Sequence, residues 1–216
     1  MNKYTDPHIE KSALITIDTQ NDFTLNNAPA RIDGTASIVP NMVRLVTAYR
    51  KQGLPIIHVV RLYLKDGSNV DLCRKQAIEE GKEIVAPDSS GAELVDELKP
   101  DPDLKLDAGL LLSGNMQKLK NNEYVIYKPR WGAFYKTMLE SFLKEREIDT
   151  VVFSGCNFPN CPRTSIYQAS ERDFRIVLVK DAISRLYQIG EEEMQNIDVS
   201  LLETNDIENL LAKFLY

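Results

Sequence analysis

The sequence predicts an α/β fold: a central, mostly parallel sheet with helices packed on both faces. Three observations predict it. Short apolar runs rich in β-branched residues recur along the chain. They are near-continuously apolar rather than alternating, as strands covered on both faces are. Helical periodicity fills the intervals between them. Strands alternating with helices mean βαβ units, whose right-handed crossovers distribute the helices to both faces.

The first run, ALITID (13–18), is a strand ending in an aspartate. Residues 38–52 then place Ile38, Met42, Leu45, Val46 and Tyr49 on one stripe, and Gly53 stops that helix. LPIIHVV (54–60) is the second strand. The stretch 62–122 is polar and punctuated by Gly and Pro, with helix-like pieces around 71–80 and 92–98. It reads as a lid-like excursion over the carboxyl ends of the strands, where ligands of such sheets sit. EYVIYK (123–128) is a strand, and residues 133–146 form a helix with Phe134, Met138, Leu139, Phe142 and Leu143 on its stripe. TVVFSG (150–155) and FRIVLVKD (174–181) are strands flanking a helix over 162–172, and 191–214 holds one or two more helices. Leu201, Leu202, Ile207, Leu210, Leu211 and Phe214 give the last stretch an apolar face, expected to pack within the chain in preference to a partner subunit. No repeat, low-complexity tract or linker divides the chain, so residues 1–216 read as one domain.

The formal net charge of -6 opposes a nucleic-acid or anionic-membrane binder, because phosphate recognition needs a basic surface. No apolar run is long enough for a transmembrane helix, and MNKYTDPHIEK lacks the apolar segment of a signal peptide, which points to the cytoplasm. The three cysteines, Cys73, Cys156 and Cys161, are too few and odd in number for a disulfide framework. With only two histidines, His8 in a loose N-terminal segment and His58 inside an apolar strand, a His-based triad or metal site has almost no material. His58 reads as a hydrogen-bonded core residue, and zinc normally needs three or four protein ligands, so neither a metal nor a cofactor is expected.

Three reactive groups leave the sheet at its carboxyl edge. The first strand ends in Asp18, the strand 123–128 ends in Lys128, and the strand 150–155 runs through GCNFPNC to Cys161 at the start of a helix. Each alone has a structural explanation: a turn-forming aspartate, a snorkelling lysine, a small buried thiol. Together they support one another. A thiol ionises more readily beside a cation and at a helix N-terminus, and Pro162 in the first turn marks that terminus. Asp18 is the base for the thiol proton, and backbone N–H groups of the 156–161 turn are placed for an oxyanion hole.

ALITIDTQNDF, then Lys128 followed by PRWGAF, then VVFSGCNFPNCPRTSIYQAS resemble the three motifs of the isochorismatase-like cysteine hydrolase family, which includes nicotinamidases and N-carbamoylsarcosine amidases. The resemblance runs from about residue 12 to about 185. It implies a three-layer α/β/α sandwich of Rossmann-like topology, with Asp18, Lys128 and Cys161 as catalytic residues, Gly155 opening the turn, and Arg163 and Thr164 following the cysteine. It further implies a cis peptide at Cys156–Asn157, oxyanion donors on the N–H groups of Asn157 and Cys161, a packing role for Cys156, and a dimer or tetramer. The region HVVRLYLKDG lacks the D-x-H pattern of metal-bearing relatives, and Pro159 and Pro162 stiffen a turn that most relatives build otherwise.

The expected reaction is hydrolysis of a small amide or other carbon–nitrogen bond through a thioester, with a small molecule as partner. Alternatives are vinyl-ether hydrolysis of the isochorismatase type and a redox-responsive pair of Cys156 and Cys161. Phe23, Trp131 and Phe134 are expected to wall the pocket. Arg61, at the end of the second strand, is expected to clamp a substrate carboxylate. Arg130 and Arg74 are weaker candidates, with a surface ion pair the favoured reading of Arg74.

Overall fold

The computed structural model describes residues 2–213; Met1 and the expected apolar contact of Phe214 lie outside them. Seven strands form one sheet: β1 (Ser12–Ile17), β2 (Ile56–Val60), β3 (Gln117–Lys120), β4 (Glu123–Tyr127), β5 (Thr150–Gly155), β6 (Arg175–Ile183) and β7 (Ser200–Leu202). Their order is β3-β4-β2-β1-β5-β6-β7. Only β3 runs antiparallel to its neighbour. Among the described residues, eight α-helices accompany them: α1 (Asn21–Thr24), α2 (Thr35–Gln52), α3 (Leu72–Glu79), α4 (Ala108–Leu112), α5 (Leu139–Lys144), α6 (Cys161–Ser170), α7 (Gln188–Gln195) and α8 (Thr204–Ala212).

The continuous apolar character of the strands follows from this layering. In β1, Ala13, Ile15 and Ile17 face one way, where Leu139, Phe142, Ile166 and Ala169 of α5 and α6 cover them. Leu14 faces the other way, towards Met42, Leu45 and Tyr49 of α2 and Ile207 and Leu211 of α8. Alternate side chains of one strand thus enter two different cores. Each large aliphatic group buried this way contributes about 1.5–3 kcal/mol. His58 is wholly buried between Thr16 Oγ1, 2.7 Å from Nδ1, and Glu123 Oε1, 2.9 Å from Nε2.

The stretch 62–122 packs a third core over the carboxyl edge, in which Leu62, Tyr63, Ile78, Val85 and Leu94 meet Phe23, Val60 and Cys156. Polar side chains after β1 tie it down. Gln20 Nε2 donates to the carbonyls of Arg61 (2.7 Å) and Ala92 (2.6 Å), and Asp22 Oδ2 accepts from Val85 N–H (2.6 Å). The helix expected around 92–98 is instead two 3₁₀ turns, Ser90–Ala92 and Asp96–Leu98. Ser89 accepts the N–H of Ala92 and closes the first of them locally.

Other expectations are corrected as well. The helix expected over 133–146 shrinks to α5, because the N–H groups of Ala133 and Phe134 donate to the side chains of Ser165 (3.0 Å) and Gln168 (3.0 Å) rather than to a helical ladder. His8 is not loose: its N–H donates to Thr150 Oγ1 (3.0 Å) and its Nδ1 lies 2.6 Å from Asp149 Oδ2. Among the described residues, no helix is long and apolar enough to cross a membrane.

Candidate active site

Asp18 and Lys128 reach the same point from opposite sides of β2. The N–H of Asp18 donates to Val59 O (2.9 Å) and the N–H of Lys128 to Val60 O (3.0 Å), so both residues extend the ladder one step past their strands. At that step Asp18 adopts φ 51°. Cys161 arrives from the other neighbour of β1. Gly155 ends β5 at φ 114°, and a Cβ there would lie 2.3 Å from Ile17 O, so only glycine lets β5 turn this close to β1. Beyond it, Cys156 N–H donates to Ile17 O (2.9 Å) and Phe158 N–H to Ser184 O (2.9 Å), which fixes the turn before α6. The Cys156–Asn157 peptide bond is cis.

Lys128 is fully buried and bridges the other two groups: its Nζ lies 2.8 Å from Asp18 Oδ2 and 3.3 Å from Cys161 Sγ. Asp18 Oδ1 is buried and, among the described residues, has no hydrogen-bond partner. Among the described residues, no protein acceptor takes the backbone N–H of Asn157 or of Cys161. The expectation of a lowered thiol pKa is reversed. Burial pushes the Cys161 thiol up to about 12 and the Asp18 charge adds to it, while Lys128 and Arg61 pull the other way. Cys156 is pushed up to about 12 as well, chiefly by burial.

These groups open on a small cavity of about 10 Å³, space for roughly one water molecule. Its inner wall is Asp18, Phe23, Arg61, Tyr63, Cys156, Asn157 and Cys161, all buried; Ile32, Arg74, Trp131 and Asn160 form the part that reaches solvent. Phe23, Arg61 and Trp131 therefore line the pocket. Phe134 does not. Held by Gln168, it turns into the core, with its ring centroid 5.8 Å from that of Phe174.

The arginines also differ from expectation. Arg61 is 2% exposed and its Nη2 lies 2.7 Å from Asp71 Oδ2, which also accepts from the Tyr63 hydroxyl (2.9 Å). It is thus already charge-paired, with its Cζ 5.4 Å from the centroid of the Trp131 ring. Arg130 is exposed and donates to the carbonyls of Asn69 (3.1 Å) and Pro129 (2.6 Å), outside the pocket. Arg74 makes no ion pair among the described residues and lines the pocket against Phe23. Arg163 pairs with Glu193 (2.7 Å) on the far side of α6. Tyr63, Asp71 and Asn160 were not singled out by sequence reasoning. Asp71 precedes a helix and reads as a cap, yet its side chain makes no capping bond and turns inward to Arg61. Among the described residues, no three His, Cys, Asp or Glu side chains gather in a way that could hold a metal ion.

A model of the isochorismatase domain matches residues 12–106 and 109–198. A protein of Arabidopsis thaliana, described as a probable inactive nicotinamidase, is 32% identical over 196 residues, covering 87% of this chain and 90% of its own length. A ureidoacrylate amidohydrolase of Methylobacterium radiotolerans is 25% identical over 209 residues, covering 88% of this chain and 72% of its own. Among solved structures, an isochorismatase family protein of Desulfovibrio vulgaris superposes with a TM-score of 0.79 at 30% identity, covering 94% of this chain and 98% of that one.

Proposed function

We propose, from the premise that the chain belongs to the isochorismatase family of hydrolases, that it cleaves a small amide or related carbon–nitrogen bond through a thioester on Cys161. The observation that carries this reading is the bridge of Lys128 Nζ between Asp18 Oδ2 and Cys161 Sγ in a buried pocket. A buried lysine between a carboxylate and a sulfur keeps the neighbourhood poised for one more negative charge, which a thiolate or an oxyanion supplies in turn.

In this mechanism the Cys161 proton passes to Asp18 as the sulfur attacks the carbonyl carbon. The new oxyanion accepts hydrogen bonds from the N–H groups of Asn157 and Cys161, whose lack of protein acceptors leaves them available. Collapse breaks the carbon–nitrogen bond, and ammonia or an amine departs with the proton held by Asp18. Water then attacks the thioester and gives a proton to Asp18; the carbon–sulfur bond breaks, Asp18 returns that proton to the Cys161 sulfur, and the acid departs. Burial favours the protonated form of the Cys161 thiol, which on this reading gives Asp18 its part as a base within the complex rather than beside a preformed thiolate. The stretch 62–122 serves as the roof of the pocket, contributing Tyr63 and Arg74 to its walls.

The relatives differ in what their names say they act on, so the substrate is a matter for assay. Ammonia release is measured over nicotinamide, N-carbamoyl compounds, ureidoacrylate-like amides and simple formamides, with Cys161→Ala as the control. Turnover by the wild type and none by the variant is the expected result. Equal turnover by both removes the cysteine mechanism, and release of pyruvate from a vinyl ether without ammonia moves the reading to the alternative hydrolysis.

A further inference from the structure

Two arginines line the pocket, and a lysine lies buried behind its wall. The lysine, Lys128, pairs with the lining Asp18, and Arg61 pairs with Asp71. The other lining arginine is Arg74, on the first turn of α3, where its N–H donates to Asp71 O (2.9 Å). Its guanidinium carbon lies 5.6 Å from the centroid of the Phe23 ring, and Phe23 is itself 3% exposed and part of the same wall. Among the described residues no carboxylate pairs with Arg74 and no acceptor takes a hydrogen bond from its side chain. Arg74 is half-buried, so it stands where the cavity meets solvent, while Asp18 and Arg61, each with its partner, lie at the buried end with Cys161.

This distribution has a chemical reading. The inner end is close to neutral in sum, which suits an uncharged scissile group. The mouth carries one positive charge without a partner, on a planar fork of N–H donors that matches a carboxylate. The ring beneath it limits how far that fork can wander, and reduces the entropy lost on binding. We propose that Arg74 is the specificity-determining residue for an anionic substrate: a small amide whose carboxylate lies at the end remote from the bond that reacts. The sequence-based expectation assigned this role to Arg61, which the structure shows engaged by Asp71. The position of the scissile bond rests on the hydrolase reading above; the anion site itself does not.

The test uses the whole chain and its sole tryptophan, Trp131, which lines the same pocket and reports its occupancy by fluorescence. Succinamate and glutaramate are titrated beside their neutral methyl esters, into the wild type, Arg74→Gln and Arg74→Lys. The wild type is expected to bind each acid on the order of 10-fold more tightly than its ester, with the margin narrowing as salt is raised. Arg74→Gln brings the acids down to the affinity of the esters and leaves the esters unchanged, whereas Arg74→Lys keeps part of the preference, having the charge without the fork. Equal binding of acid and ester by the wild type, an unaltered ratio in Arg74→Gln, or no saturable response to any acid overturns the proposal. Ammonia measured in the same samples separates the two readings. Discrimination without ammonia supports the Arg74 site and counts against the hydrolase reading, and ammonia without discrimination overturns the Arg74 site alone.

Discussion

Asp71 reaches inward from the start of α3 to Arg61, at 2.7 Å, and both side chains are almost fully buried. The pair joins the end of β2 to the polar stretch that roofs the pocket. Breaking such a pair leaves a buried charge uncompensated, which typically costs about 3–5 kcal/mol. Asp71→Ala is therefore expected to lose about that much stability in urea denaturation, and the combined Arg61→Met, Asp71→Leu protein to recover much of it. A loss under about 1 kcal/mol for the single variant would mean that water reaches the guanidinium after all.

Gly155 against Ile17 yields a second expectation. Alanine there must adopt φ 114° and place its Cβ 2.3 Å from a backbone oxygen that β1 cannot withdraw without leaving its ladder. Strain of this kind costs roughly 1–3 kcal/mol before the clash is counted. Gly155→Ala should thus fold less stably and, because β5 must pull away from β1, show a Lys128–Cys161 site that turns over at least about 10-fold more slowly. Thermal melting and ammonia assays check the two effects separately, and an unchanged melting temperature would rule out the close approach.

Much of this architecture is legible in the chain because it rests on local rules. The strands β1, β2, β4, β5 and β6 show themselves as apolar runs covered on both faces, and the acid, amine and thiol follow from asking what leaves those strands at one edge. What escapes reading is set by partners distant in sequence. The strand β3, QKLK, is exposed on alternate residues and gains its identity only by pairing with β4. The stretch 133–146 has helical periodicity, but at its start Ser165 and Gln168 claim the N–H groups of Ala133 and Phe134. Arg61 and Arg74 look alike as sequence, and only the inward turn of Asp71 decides which of them is balanced.

The bridge through Lys128 makes a third prediction. Lys128→Met removes the cation from beside Asp18 Oδ2 and Cys161 Sγ, leaving the one negative charge that moves from carboxylate to sulfur to oxyanion without its partner. Turnover should fall by on the order of 100-fold or more, in kcat rather than KM, because the lost interaction is strongest when negative charge develops. Asp18→Asn is expected to be equally inactive while still binding substrate, detectable by Trp131 fluorescence. A Lys128→Met protein altered only in KM would make the lysine a substrate ligand instead.

The raised thiols bear on pH dependence. Cys156 and Cys161 move from an ordinary 9.0 to about 12, in both cases first through burial. A group that holds its proton more tightly when folded contributes stability that is complete below its unfolded pKa and is lost as pH rises through the folded value. The contribution of these two thiols is therefore present up to pH 9 and disappears between 9 and 12. Denaturation measured across that window should show a decline that is shallower in a protein carrying Cys156→Ala and Cys161→Ala. The same upward shift favours the protonated thiol at neutral pH in the free protein. Iodoacetamide followed by mass spectrometry is then expected to label exposed Cys73 first and Cys161 slowly, with the Cys161 rate still climbing above pH 10. Rapid, pH-independent labelling of Cys161 near pH 7 would instead mean a thiolate formed before any substrate arrives, and the proton transfer to Asp18 would no longer belong to the bound complex.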